Sequence, residues 1–163
     1  MSIPPWPIFP DELAHLDKTP VYVSSKRMHL GMWQSWKKKG HNIISTWINV
    51  EGAHDLESIG KHWWPIWLSE AYSAPYLIFY AKPGDVDHSA NLLEIGASLA
   101  GGNIVLSVGI SDIMKVSGGD LADYIYHPRW WRCLNLDEAF KIAADRTTMD
   151  ELLSRIQGEE LPR

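Results

Sequence analysis

Strand-length apolar runs that alternate with helical stretches along a 163-residue chain predict an α/β fold, a three-layer sandwich with about five mostly parallel strands. The clearest instance lies at the centre. Tyr76-Leu77-Ile78-Phe79-Tyr80 and Asn103-Ile104-Val105-Leu106-Ser107-Val108 read as short buried strands, and Asn91 to Gly102 between them reads as a small-residue helix. Strand, loop, helix and strand make a βαβ unit, whose loop and first helical turns open onto the carboxyl edge of a parallel sheet. That helix carries one carboxylate, Glu94, in otherwise apolar surroundings.

Taken in order, residues 1–20 are proline-rich and aperiodic, an arm laid over the domain with one helical turn at Asp11 to Leu16. Pro20 to Ser25 begins the fold as strand one. Between His29 and Lys39 the spacing of Leu30, Met32, Trp33 and Trp36 fits an amphipathic helix, closed by Gly40. Asn42 to Ile48 is β-branched and reads as strand two. Asp55 to Ser73 is helical in two pieces, because Pro65 suits a helix start and not its interior; a break is expected near His62 to Trp64. Strand three is Tyr76 to Ala81, and strand four ends at Gly109. Gly118-Gly119 sits in a loop, Trp130 to Leu134 is strand five, and Leu136 to Ala144 is a helix. Met149 to Ile156 forms a last amphipathic turn or two. The reading is one domain over 21–157, then a polar tail at 158–163.

Composition narrows the function classes. A charge of -5 and a pI near 5.8 give no general pull toward polymeric nucleic acid. Lys37-Lys38-Lys39 is a local exception, better read as the cationic end of a helix. No apolar run approaches the ~20 residues of a membrane span. The single cysteine, Cys133, leaves no internal disulfide, which suits a reducing cytoplasm. Four prolines and no basic segment within Met1 to Pro10 argue against a secretory leader. The seven histidines contain no tight pair, so no metal is expected. The absence of a glycine-rich dinucleotide fingerprint leaves a nicotinamide or flavin cofactor without support.

Four elements in this order resemble the nucleoside 2-deoxyribosyltransferase-like superfamily, which also contains nucleotide N-hydrolases. They are Val21-Tyr22-Val23-Ser24-Ser25 with Arg27, Gly40-His41 before a strand ending Thr46-Trp47-Ile48-Asn49, the Leu77 to Tyr80 strand, and Leu93-Glu94-Ile95-Gly96-Ala97-Ser98-Leu99-Ala100-Gly101-Gly102. His127-Pro128 and Leu136 to Phe140 add to the likeness, which spans about Val21 to Ala144. The Glu-Ile-Gly block is its specific part.

The resemblance implies a flavodoxin- or Rossmann-like fold and cleavage or transfer at the N-glycosidic bond of a nucleoside or nucleoside 5′-monophosphate. Glu94 then matches the glutamate that attacks the anomeric carbon and carries the glycosyl intermediate. A carboxylate there traps the oxocarbenium-like centre and splits displacement of the base into two easier steps. Periodicity alone favours a solvated helix glutamate, since Asn91, Glu94 and Ser98 share one face; the resemblance reverses that reading. Small neighbours at Gly96 and Ala97 would let this helix pack close to a strand.

The loop Lys82 to Ser89 would cover the sugar, with Asp85, Asp87, His88 and Ser89 as its candidate contacts. His88 stands six residues before the nucleophile, where the family holds the substrate's 5′ end, and a phosphate at a helix start is favourable; the plain alternative is that Asp87 or Ser89 caps the helix. Ser24, Ser25 and Arg27 follow strand one and would line the pocket, unless they serve only the turn.

One departure stands out. The family's base-side aspartate, on the helix before strand three, is absent; the chain offers Trp63-Trp64-Pro65-Ile66-Trp67-Leu68-Ser69-Glu70, in which Glu70, or Asp85 from the loop, would substitute. Loss of activity would leave a non-catalytic nucleotide-binding protein, and exposed tryptophans would suit an interaction protein. Family sites are commonly completed by a neighbouring subunit, so a homo-oligomer is expected. It would bury some of Trp63, Trp64, Trp67, Trp130 and Trp131, and the 114–131 segment would reach the partner's pocket.

Overall fold

Parallel strands covered on both faces read as continuous apolar runs, and four of the five expected runs pair as strands. In the computed structural model, which describes residues 19–50, 55–109 and 123–159, β1 (Val21–Ser24), β2 (Tyr76–Tyr80), β3 (Ile104–Val108) and β4 (Trp130–Cys133) lie side by side in that order, all parallel. The helices are α1 (Leu30–Lys38), α2 (Leu56–Ser58), α3 (Trp64–Ser73), α4 (Ser89–Ala100), α5 (Leu136–Ala144) and α6 (Met149–Glu159). The proline-rich arm, the Gly118-Gly119 loop and the last residues of the polar tail fall outside the described residues.

Side chains assign the layers. Phe140 of α5 stacks on Trp36 and meets Trp33 edge-on, so α1 and α5 share one face of the sheet. On the other face α3 packs against α4. Residues alternate between these faces along each strand: Tyr22 and Ser24 point to α4, whereas Tyr80 meets Trp33 of α1. Helices on both faces of a parallel sheet are compatible with a three-layer sandwich.

The sheet has four strands, not five, because the expected strand two does not form. The 42–48 segment makes one parallel bridge, Val21 to Ile43, and then turns into a 3₁₀ helix over Thr46–Asn49. Beyond the bridge, side chains do what a strand would have done. The Val23 N–H donates to Ser45 Oγ at 2.7 Å, and the Val23 carbonyl accepts from Trp47 Nε1 at 2.8 Å.

The interruption expected near His62 to Trp64 is a change of pitch rather than a gap. Ile59–Trp63 is a π turn, and Pro65 enters in the first turn of α3, where its missing N–H costs little. Lys37 and Lys38 do end α1, and Lys39 Nζ lies 4.1 Å from the Trp36 ring centroid. Gly96 faces outward, where a Cβ would meet nothing within 4 Å outside its own helix; the close approach belongs to Gly101, where a Cβ would stand 2.2 Å from the Tyr72 carbonyl oxygen.

Candidate active site at the carboxyl edge

The chain leaves β1, forms α1, touches the outer side of β1 at Ile43, and returns through α3 to β2 on the inner side. A reversal of this kind places a crevice beyond the carboxyl ends of β1 and β2, where open α/β sheets bind ligands. Ser24 ends β1 at that point, and the 82–88 loop and the start of α4 follow β2 there.

The polar stripe of α4 faces the sheet, not water: Asn91, Glu94 and Ser98 are all buried, and Glu94 is only 6% exposed. Its Oε1 accepts from Tyr22 OH at 2.7 Å, and its Oε2 accepts a close hydrogen bond from Ser24 Oγ. Asn91 Nδ2 donates to Ser24 Oγ at 2.9 Å and to the Ser25 carbonyl at 3.1 Å. Beyond it, His88 Nδ1 lies 2.9 Å from Asn91 Oδ1, while the ring stands edge-on to Phe79.

Burial pushes the Glu94 carboxyl up to about 7, against the opposing pull of Ser24, Tyr22 and Asn91, with a further push from Glu70. Glu70 on α3 is itself buried and raised for the same first reason, although the Thr46 N–H donates to its Oε2 at 3.0 Å. Glu70 therefore acts on Glu94 from α3, and burial drives the Tyr22 phenol well above its ordinary value.

The structure brings Ser24, His88, Asn91 and Glu94 into one network and sends the other expected residues elsewhere. Ser25 Oγ receives Trp33 Nε1 at 2.7 Å and donates to the Lys26 carbonyl, so it secures α1. Arg27 donates to the Val50 carbonyl at 3.0 Å. Asp85 Oδ2 accepts from the Lys82 N–H and meets His29 Nε2, both at 2.9 Å. Burial pushes Asp85 up, but Lys82 and His29 outweigh it and hold the carboxyl below its usual range. This residue pins the loop.

Ser89 Oγ donates to the Asp87 carboxylate at 2.8 Å, and the Ser89 N–H at the start of α4 acts on the same carboxylate; His88 occupies the cap position and makes no side-chain cap bond. Asp87 takes a left-handed turn at φ 56, which carries the following His88 inward. Sequence reasoning missed Tyr22, although its spacing of two from Ser24 puts both on one strand face.

Two cavities lie elsewhere. A groove of about 690 Å³ runs along β4, lined by Ser107, Ile125, His127, Trp130, Arg132 and Leu134 among others, and a smaller one of about 140 Å³ lies by His41 and Phe140. Glu94 lines neither. Of the tryptophans expected at an interface, Trp67 and Trp130 belong to this chain's own core, and Trp63, Trp64 and Trp131 are partly buried against it.

Among the described residues no helix is long and apolar enough to cross a membrane, and no three His, Cys, Asp or Glu side chains gather as a metal site. Comparison with family models and with curated proteins gives no match to this chain.

Proposed function

We propose that the protein cleaves or transfers at the N-glycosidic bond of a nucleoside or nucleoside 5′-monophosphate, with Glu94 as nucleophile. The observation that carries this reading is the placement of Glu94: buried beside the β1–β2 reversal and held through both oxygens by Tyr22 and Ser24. Enclosing a carboxylate this far from water is costly, and aiming two hydroxyl donors at it offsets only part of that cost.

In the proposed first half-reaction a Glu94 oxygen bonds to C1′ as the electron pair of the C1′–N bond leaves with the base. Glu70, which burial makes slower to give up its proton, supplies one to the departing base in place of the family's aspartate. In the second half, the oxygen of water or the nitrogen of an acceptor base bonds to C1′, Glu94 leaves as a carboxylate, and the entering group's proton returns to Glu70. Tyr22 and Ser24 hold the carboxylate before and after. A subunit partner completes the site in this reading, and sedimentation tests that part.

A second reading, a nucleotide-binding protein without turnover, is favoured by one observation: where the family places its base-side aspartate, on the helix before β2, this chain has Trp63 to Glu70 and no aspartate. One experiment separates the two. The protein is incubated with nucleosides and their 5′-monophosphates, with and without an acceptor base, and free base is followed by chromatography. Base release that disappears in Glu94→Ala, and that rises with pH as Glu94 ionises near 7, supports the enzyme. Ligand binding without base release selects the second reading, and neither binding nor release refutes both.

A further inference from the structure

His88 is fully buried, and among the described residues its Nε2 has no hydrogen-bond partner. Its chemistry follows from its neighbours. The Ser25 carbonyl can only accept, so the nitrogen of Asn91 faces it; the same nitrogen donates to Ser24 Oγ, which in turn donates to the Glu94 carboxylate. Asn91 Oδ1 is thereby left facing His88 Nδ1 and must accept from it. Every donor in the series His88, Asn91, Ser24, Glu94 points the same way, toward the carboxylate. In the neutral ring this leaves Nε2 as a buried acceptor with nothing to accept, a state that costs free energy until a proton or a donor reaches it.

The same directionality places the proton on Glu94. Oε2 faces a hydroxyl that Asn91 already holds as a donor toward it, so a proton on Oε2 would meet another hydrogen. Oε1 faces Tyr22 OH, which can rotate and accept.

We infer that His88 is a positioning residue that couples its own Nε2 to the ionisation of Glu94 through Asn91 and Ser24. A proton or ligand hydroxyl delivered to Nε2 polarises the series and favours the Glu94 carboxylate; an empty Nε2 leaves the proton on Oε1. The groups that face His88 are Asp85 and Asp87 from the loop and the Phe79 face from β2. Lys26 reaches this loop at the Asp87 carbonyl and acts on the Asp87 carboxylate, and His29 meets the Asp85 carboxylate. The meaning of the coupling for turnover rests on the proposed reaction, but the coupling itself is a property of the free protein.

It is tested without substrate, by following the Glu carboxyl carbons by ¹³C NMR against pH, with the Glu94 signal assigned by its loss in Glu94→Gln. In the wild type the Glu94 curve should show two inflections, the mark of a site coupled to a second one. His88→Ala should raise the Glu94 midpoint by about one pH unit, since a donor to a charged group is lost at the head of the series. His88→Asn, whose amide N–H can still reach Asn91 Oδ1, should restore the midpoint while abolishing the second inflection. An unchanged midpoint in His88→Ala overturns the coupling, as does an equal rise in both variants, which would mark a packing role. If the alanine variant loses its dispersed spectrum, the asparagine variant decides alone: a wild-type midpoint with a single inflection supports the relay, and a raised midpoint or a retained second inflection refutes it. Coupling observed in a protein that releases no base would sink the proposed reaction and leave the relay standing; base release without coupling would do the reverse.

Discussion

Replacing Glu94 by Gln should make the protein more stable at pH 8 and should flatten its dependence on pH. The carboxyl is raised from an ordinary 4.5 to about 7 by burial, and at about 1.4 kcal/mol per pH unit this amounts to roughly 3 kcal/mol. Its sign follows from proton counting. Below pH 4.5 Glu94 is protonated in both the folded and the unfolded chain, and its contribution is fully present. Between there and about pH 7 the unfolded chain releases a proton that the folded chain retains, so stability falls as pH rises and the loss is complete once the folded carboxyl ionises. Glutamine has no proton to lose and fits the same partners, its oxygen accepting from Ser24 and its amide donating to a rotated Tyr22 hydroxyl. Urea unfolding of both proteins at pH 5 and pH 8 gives the quantity directly, as a difference of differences in which every other titrating group largely cancels. The stability gap between variant and wild type should widen in the variant's favour by about 3 kcal/mol from pH 5 to pH 8, a relative gain of roughly 10 °C in Tm. Parallel stability curves for the two proteins would refute the argument, since they would mean that Glu94 titrates alike folded and unfolded.

Other perturbations test the frame around the site. Gly109→Ala should destabilise by more than about 2 kcal/mol, because the backbone is left-handed there at φ 83 and a Cβ would stand 1.9 Å from the Ala81 carbonyl oxygen; thermal unfolding reads the result. Asp85→Ala should cost about 1–3 kcal/mol by stranding the Lys82 N–H and the His29 ring, and should open the 82–88 loop to limited proteolysis while the rest of the chain resists. Cys133, whose thiol burial pushes up to about 12, with Glu138 adding to the shift, should react far more slowly with iodoacetamide at pH 8 than free cysteine, with the rate still climbing above pH 9.

The sequence disclosed the fold wherever burial was two-sided and local. The runs at Tyr76 to Tyr80 and Ile104 to Val108 are almost wholly hydrophobic, Ser107 excepted, because helices cover both faces, and that pattern does not depend on distant partners. The 42–48 run misled because β-branched composition reports a buried extended segment and not what pairs with its backbone; here Ser45 and Trp47 side chains take the Val23 groups. Glu94 stood out as a charge in an apolar helix, yet periodicity could not say whether the Asn91, Glu94 and Ser98 stripe faced water or the sheet. That depended on Tyr22 and Ser24, some 70 residues away. Likewise Asp85 is held by His29 across 56 residues and Glu70 by Thr46 across 24, separations at which spacing carries no signal.

The way Ser45 and Trp47 close the β1 side of the sheet has a consequence for how this molecule meets others. An edge strand normally advertises a row of amides and carbonyls that any extended segment can read, and proteins guard such rows with charges, prolines or bulges. Here the lock is chemical rather than repulsive: a hydroxyl and an indole occupy the Val23 N–H and carbonyl, while Asn42 and Ile44 take those of Val21. No vocabulary is left on that side for a passing strand to pair with. Copies of this chain can associate through helical faces or through β4, but a continuous intermolecular sheet across β1 is closed to them, and Ser24 keeps its position whatever the protein binds on its flank.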